Sequence, residues 1–225
     1  MRLITHHSGS TGNMYELRLS GGSLLIEAGV PIRQIKKATD FRLSEMSGCL
    51  ITHEHGDHAK AAKDLHAAGV PIYCSKGTAE AIGVDAYIIE HGRQFRLAWA
   101  VIKPIATQHD CREPLGFLIA DVGEKLLFAT DTAYLEWRFS GLTQIAIECN
   151  WQAELVTPEH RPRLERSHMS LDAVLALLAA NDLTRVHTIH LLHLSSRHAD
   201  RERCKRAVEE LTGIPVSIGG IDEKR

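Results

Sequence analysis

The stretch Ile51-Thr52-His53-Glu54-His55-Gly56-Asp57-His58 sets four metal-ligating side chains within six residues. The apolar run Gly48–Thr52 before them reads as a short strand, whose period of two carries His53 and His55 on one side. A turn at Gly56 then puts Asp57 and His58 in the first turn of a helix expected over Asp57–Ala68 and stopped by Gly69. A helix N-terminus favours the Asp57 carboxylate and disfavours cations, so imidazoles crowded beside it make chemical sense as neutral metal ligands. One such run cannot complete two metal sites, because each divalent transition metal takes about four to six donors. Further donors stand just after three other apolar strands: His109 in Ile105-Ala106-Thr107-Gln108-His109-Asp110, Asp131 in Leu127-Phe128-Ala129-Thr130-Asp131-Thr132, and His193 in Ile189-His190-Leu191-Leu192-His193. His190, three residues before His193 on the same strand, is its rival.

Outward from this run the chain reads in two textures. Glycine-punctuated strands come first, at Leu3–His6, Met14–Leu19 and Ser23–Glu27. Strand then alternates with helix: a helix over Ile32–Ala38, strands ending near Cys74, Leu97, Ala106, Ala120 and Ala129, strand Gln144–Glu148, helix Leu171–Ala180, strand Val186–Leu192, helix Arg201–Leu211 and strand Pro215–Ile218. That order suits an α/β architecture of two mixed β-sheets packed face to face with helices outside, an αββα sandwich. The 225 residues, with 44% apolar content, are expected to form one domain over 1–225. Trp151–Arg166, with Pro158 and Pro162, reads as a surface excursion or short helix.

A net charge of −2 excludes a molecule that binds polyanions over its whole surface. A local patch is available from Arg161, Arg163 and Arg166, with Arg197, Arg201, Arg203, Lys205 and Arg206 further on, although Asp200, Glu202 and Glu209 are interspersed. The five cysteines are odd in number and never form a C-x-x-C pair, which points to reduced thiols. With neither a signal-like start nor about 18 uninterrupted apolar residues, the expectation is a cytoplasmic chain without a membrane span.

The run His53-x-His55-x-Asp57-His58, followed in order by His109, Asp131 and His193, resembles the ligand set of the metallo-β-lactamase superfamily. The resemblance implies two divalent metal ions, zinc by default with manganese or iron as alternatives. It places the first on His53, His55 and His109, the second on Asp57, His58 and His193, and Asp131 between them. Asp131 stands where true β-lactamases have cysteine, which argues against antibiotic hydrolysis. Glu27, at the end of Ser23-Leu24-Leu25-Ile26-Glu27, stands where the family has Asp, and its role is open.

Ser167-His168-Met169-Ser170 and Leu192-His193-Leu194-Ser195-Ser196-Arg197 resemble motifs of the tRNA 3′-processing endonuclease branch. The Gly-Ser-Thr-Gly-Asn start, Leu115-Gly116-Phe117 and Glu148-Cys149-Asn150 are similar to small bacterial and phage exonuclease-like members. The segments after His109 and Asp131 are too short for a tRNA-clamping arm or a cap domain. The resemblance implies a phosphodiesterase or nuclease whose metal-bridging hydroxide is oriented by Asp57, with His168 backed by Glu148 as the proton shuttle to the leaving oxygen. From the residues alone, Glu148 is equally a strand-end carboxylate paired with an arginine, and His168 the residue before a helix cap. A thiolester or lactone hydrolase, a mononuclear iron oxidoreductase of the same fold, and a non-catalytic nucleic-acid-binding module are the rival readings. The expected partner is nucleic acid or another phosphodiester, with homodimerisation left open.

Overall fold

The computed structural model describes residues 1–136 and 138–219. Two sheets are built on the same plan, an antiparallel beginning and a parallel end. In the six-stranded sheet, β1 (Arg2–His7), β2 (Met14–Leu19) and β3 (Gly22–Ile26) pair antiparallel, and β4 (Met46–Leu50), β5 (Ile72–Cys74) and β6 (Tyr87–Ile88) add in parallel, in that order. In the seven-stranded sheet, β7 (Phe95–Leu97), β8 (Ala100–Ala106), β9 (Leu115–Asp121) and β10 (Glu124–Ala129) pair antiparallel. Strands β11 (Gln144–Glu148), β12 (Thr188–Leu192) and β13 (Val216–Ile218) follow in parallel.

The sheets lie face to face because their strands are apolar on both sides, and the period of two sorts the residues. Leu24, Ile26, Tyr15, Leu17, Leu126 and Phe128 share the core between the sheets. Leu25 and Met14 point the other way, onto Ile35 of α1 (Ile32–Ala38), Leu65 of α3 (Ala62–Ala67) and Ala79 of α4 (Lys76–Ile82). On the second sheet Leu127 and Ile145 meet Val174 and Leu178 of α6 (Leu171–Ala179) and Val208 of α7 (Arg201–Thr212). This is the αββα sandwich expected from the order of elements. All five cysteines are free thiols. Among the described residues no helix is long and apolar enough to cross a membrane.

Two expectations need correction. Strand β4 stops at Leu50, so His53 and His55 stand in the loop beyond it rather than on the strand. The single helix expected over Asp57–Ala68 is two, α2 (Gly56–Ala59) and α3. The break has a hydrogen-bonding cause. The carbonyls of Asp57 and His58, which a continuous helix would offer to Ala61 and Ala62, accept instead from Asn13 N (2.8 Å) and Ala28 N (2.7 Å), while Ala61 N turns to Ala28 O (2.8 Å). Gly29 permits this approach, since a Cβ there would lie 1.7 Å from the Asp57 carbonyl oxygen. The excursion after Trp151 contains a short helix, α5 (Arg161–Ser167).

Away from these loops, Glu16 on β2 is buried between His6 (3.2 Å) and Arg18 (2.7 Å). Its hydrogen bond to His6, and then Arg18, hold its pKa at about 2 against an ordinary 4.5, with burial opposing. A carboxylate with a depressed native pKa contributes stability that is complete above 4.5 and lost as pH falls from there towards 2. Glu16→Gln is therefore expected to cost roughly 1–2 kcal/mol at neutral pH and nothing near pH 2. Denaturant titrations of both proteins across that range check this, and an equal gap at both ends contradicts it.

Candidate metal centre

Every candidate ligand stands beyond the C-terminal end of a strand, at one end of the sandwich. His53, His55, Asp57 and His58 follow β4, His109 follows β8, Asp131 follows β10, and His193 follows β12. Glu27 directly follows β3, and Glu148 is the last residue of β11. Glu27, Asp131 and His193 adopt left-handed backbone, with φ of 66°, 49° and 51°. Such conformations cost a non-glycine residue about 1–3 kcal/mol and persist only where the surroundings over-determine them. Here they turn three side chains back over the strand ends.

The seven candidate ligands fall into two groups, and a third set of close donors, Asp131, Glu148, His168 and His193, overlaps the second. His53, His55 and His109 converge, with His55 Nδ1 3.2 Å from the Nε2 atoms of both His53 and His109. Asp57, His58, Asp131 and His193 form the second group. Asp57 Oδ2 is 3.5 Å from the Nε2 atoms of His58 and His193. Asp131 lies between the groups: its Oδ2 is 3.2 Å from His58 Nε2, 3.6 Å from His109 Nε2 and 3.9 Å from His53 Nε2, and its Oδ1 is 3.3 Å from His193 Nδ1. The structure thus brings all seven predicted ligands together. His190 stays apart, buried with its Nδ1 on Ser217 Oγ at 2.6 Å.

Surrounding groups fix the tautomers of the first group. The Thr52 hydroxyl donates to Glu27 Oε1 (2.6 Å), so it accepts from His53 Nδ1–H (2.8 Å), leaving the Nε2 lone pair of His53 free. His109 Nδ1–H donates to the Ser167 carbonyl at the end of α5 (2.7 Å), which leaves its Nε2 lone pair free in turn. Burial and neighbouring imidazoles lower the pKa of His53, and burial lowers that of His109, so both are neutral near pH 7. Lone pairs aimed at one point are what a cation needs.

The second group has the opposite electrostatics. Burial alone would lower the pKa of His58 and His193, yet Asp131 together with Glu27, Asp57 and Glu148 raises both, His193 to about 10. The carboxylates themselves are held ionised: burial opposes it, but His193 and His58 keep Asp57 and Asp131 well below the usual range. A buried nest of carboxylates that demands positive charge, with His193 Nε2 lacking a hydrogen-bond partner among the described residues, fits a divalent metal ion.

Beside the ligands, Glu148 Oε1 accepts from His168 Nδ1–H at 2.6 Å, and Glu148 Oε2 accepts from the backbone N–H groups of Thr132 and Met169. The His168 ring stacks on His193, with centroids 5.5 Å apart and planes inclined by 16°. Burial opposes protonation of His168, but the Glu148 carboxylate outweighs it and raises the pKa. Among the described residues no arginine pairs with Glu148.

Sequence reasoning left three supports without a role. Glu27 holds Thr52 and lies 3.3 Å from His58 Nδ1. Asn13 joins His58 Nε2, Asp57 O and Gly9. Asn150 donates to the His193 carbonyl oxygen at 2.9 Å. Asn13 and Asn150 lie inside motifs visible in the sequence, but an asparagine after a turn or strand carries no mark of which histidine it will meet.

A family model described as "Beta-lactamase superfamily domain" matches residues 23–191. Exodeoxyribonuclease YycJ of Bacillus anthracis is 28% identical over 91% of this chain and 86% of its own. Among solved structures, the metallo-beta-lactamase fold protein YhfI from Bacillus subtilis superposes with a TM-score of 0.78 at 13% identity, covering 96% of this chain and 95% of that one. The short form of human tRNase Z superposes with a TM-score of 0.68 at 15% identity, covering 97% and 96%.

Proposed function

The chain belongs to the β-lactamase superfamily, with its metallo-β-lactamase fold, and on that premise we propose that it is a metal-dependent nuclease hydrolysing phosphodiester bonds of DNA. The observation that carries this reading is the 2.6 Å contact between Glu148 and His168 beside the metal ligands. A departing alkoxide needs a proton, whereas a thiolate leaving group does not, so a built proton donor favours the phosphodiester over the thiolester. The relative's name, exodeoxyribonuclease, supports DNA as the substrate.

Two divalent cations, zinc or else manganese or iron, held by His53, His55 and His109 and by Asp57, His58 and His193 with Asp131 shared, would supply the Lewis acidity that makes water nucleophilic near neutral pH and neutralises phosphoryl charge. Asp57, with its side chain 25% exposed, presents an ionised carboxylate to the mouth and orients the attacking water. His168 is held by Glu148 through Nδ1 and offers the proton on Nε2 to the leaving oxygen. Ser167, through its carbonyl on His109, ties the backbone beside His168 to the first ligand group.

A cleavage screen over single- and double-stranded DNA, RNA, small phosphodiesters and a thiolester tests the reading. DNA cleavage that a chelator abolishes and added Zn2+ or Mn2+ restores is expected. Thiolester turnover with every phosphodiester left intact would overturn it.

A further inference from the structure

The basic residues that the sequence offers for a nucleic-acid patch are partly neutralised in the fold. Arg161 of α5 pairs with Glu165 at 2.8 Å, Arg203 of α7 with Glu154 at 2.6 Å, and Lys205 with Glu209 at 3.9 Å. Arg163, Arg166, Arg197, Arg201 and Arg206 keep no ion-pair partner among the described residues, but Glu165, Asp200, Glu202, Glu209 and Glu210 are interspersed with them; on the other side of the sandwich the acids are fewer. Helix α1 carries Arg33, Lys36 and Lys37, spaced i, i+3 and i+4 on one exposed face, and has no acidic residue. Lys60 and Lys63, both exposed, add to this face from the neighbouring turn and α3, where Asp64 is the one carboxylate. None of these five cations has an ion-pair partner among the described residues. The segments that lead into the two helices are tied together, Ala61 N–H donating to Ala28 O at 2.8 Å, and Ile35 belongs to the same buried cluster as Ala61, Ala62 and Leu65.

The chain runs from the candidate metal ligands directly into this face. Lys60 comes two residues after the ligand His58, and α1 starts three residues after Gly29, the residue packed against the Asp57 carbonyl. Like-charged side chains on one face repel one another and raise the cost of folding unless a polyanion answers them. We infer that the face formed by Arg33, Lys36, Lys37, Lys60 and Lys63 is where the phosphate backbone of DNA lies on its way to the metal centre. The inference rests on the nuclease reading for its ligand and assigns the binding track that reading lacks. It locates the track on the α1–α3 side, not on α5 and α7.

The test measures binding apart from catalysis, using a fluorescent single-stranded 20-nucleotide probe with cleavage-resistant phosphorothioate linkages. Triple reversal Arg33→Glu, Lys36→Glu and Lys37→Glu should weaken binding at least about tenfold at low salt. The slope of log affinity against log salt should fall by about 0.7 for each phosphate no longer neutralised, roughly 2 in all. The milder pair Lys36→Gln and Lys37→Gln should lower the slope by about 1.4, and its circular dichroism should match the unmodified protein. Arg163→Glu with Arg166→Glu on α5 should change affinity less than about twofold. Unmodified protein that fails to bind the probe, an α1 variant with unchanged affinity and slope, or an α5 variant that loses as much as the α1 variant overturns the assignment. If the α1 effects appear but the unmodified protein cleaves no nucleic acid, the nuclease reading fails and the polyanion-binding face stands. Cleavage of DNA with unaltered binding by the α1 variants has the opposite meaning.

Discussion

Replacing Asp131 by alanine is expected to deplete metal from both donor groups and to lower phosphodiester hydrolysis by at least about a thousandfold. The expectation follows from position. Asp131 is the one carboxylate within 4 Å of imidazoles from both groups, at 3.6 and 3.9 Å from His109 and His53 and at 3.2 and 3.3 Å from His58 and His193. It is also foremost among the charges that hold His58 and His193 above their ordinary pKa against the effect of burial. Without it, positive charge in this pocket loses its central counter-charge, and the remaining donors divide into the His53, His55 and His109 cluster and a pair of histidines on Asp57. Elemental analysis of purified protein should show metal content falling well below that of the unmodified chain, and Asp131→Asn should recover only part of it. A variant that stays fully loaded and active would contradict the placement of Asp131 between two cations.

The sequence was most informative where chemistry is written in local spacing. The run from His53 to His58 is spaced as metal ligands are, and the ends of the apolar strands before His109, Asp131 and His193 could be read from hydrophobic runs, so both the sandwich and the convergence of seven candidate ligands were legible. The supports were not, because they depend on which loops meet. The interruption between α2 and α3 arises when Asn13 and Ala28, distant in sequence, take the carbonyls of Asp57 and His58. Glu27 holds His53 through Thr52, a relay that spans 25 residues and depends on β3 pairing with β4. Ser167 fixes the His109 tautomer with a backbone carbonyl, which no side-chain pattern records. The left-handed φ of Asp131 and His193 is similarly invisible, since neither residue type announces it. Charge was legible only as a count: the sequence displayed the basic residues of α5 and α7, but the pairing of Arg161, Arg203 and Lys205 with Glu165, Glu154 and Glu209 is a property of the folded surface.

His168→Ala separates proton donation from metal binding. His168 faces Glu148 through Nδ1 and stacks on His193; it shares a third set of close donors with Asp131, Glu148 and His193 but is in neither group built on His53 and Asp57, so on the nuclease reading the variant is expected to keep its metal. Turnover of DNA, whose leaving group is a poor alkoxide, should fall by about 10²- to 10⁴-fold. A diester with a nitrophenolate leaving group needs no proton, and its hydrolysis should fall only a few-fold, by about 2 to 5. The pH profile carries a second signature. Because Glu148 raises the pKa of His168, the donor keeps its proton to higher pH than a free imidazole would, and DNA turnover should decline as pH rises through that elevated value. The alanine variant should lose this alkaline decline, while Glu148→Gln should shift it to lower pH by removing the negative charge that sustains it. Equal losses on both substrates, with metal content reduced, would instead make His168 a prop for His193, and unimpaired DNA cleavage would remove it from the reaction altogether.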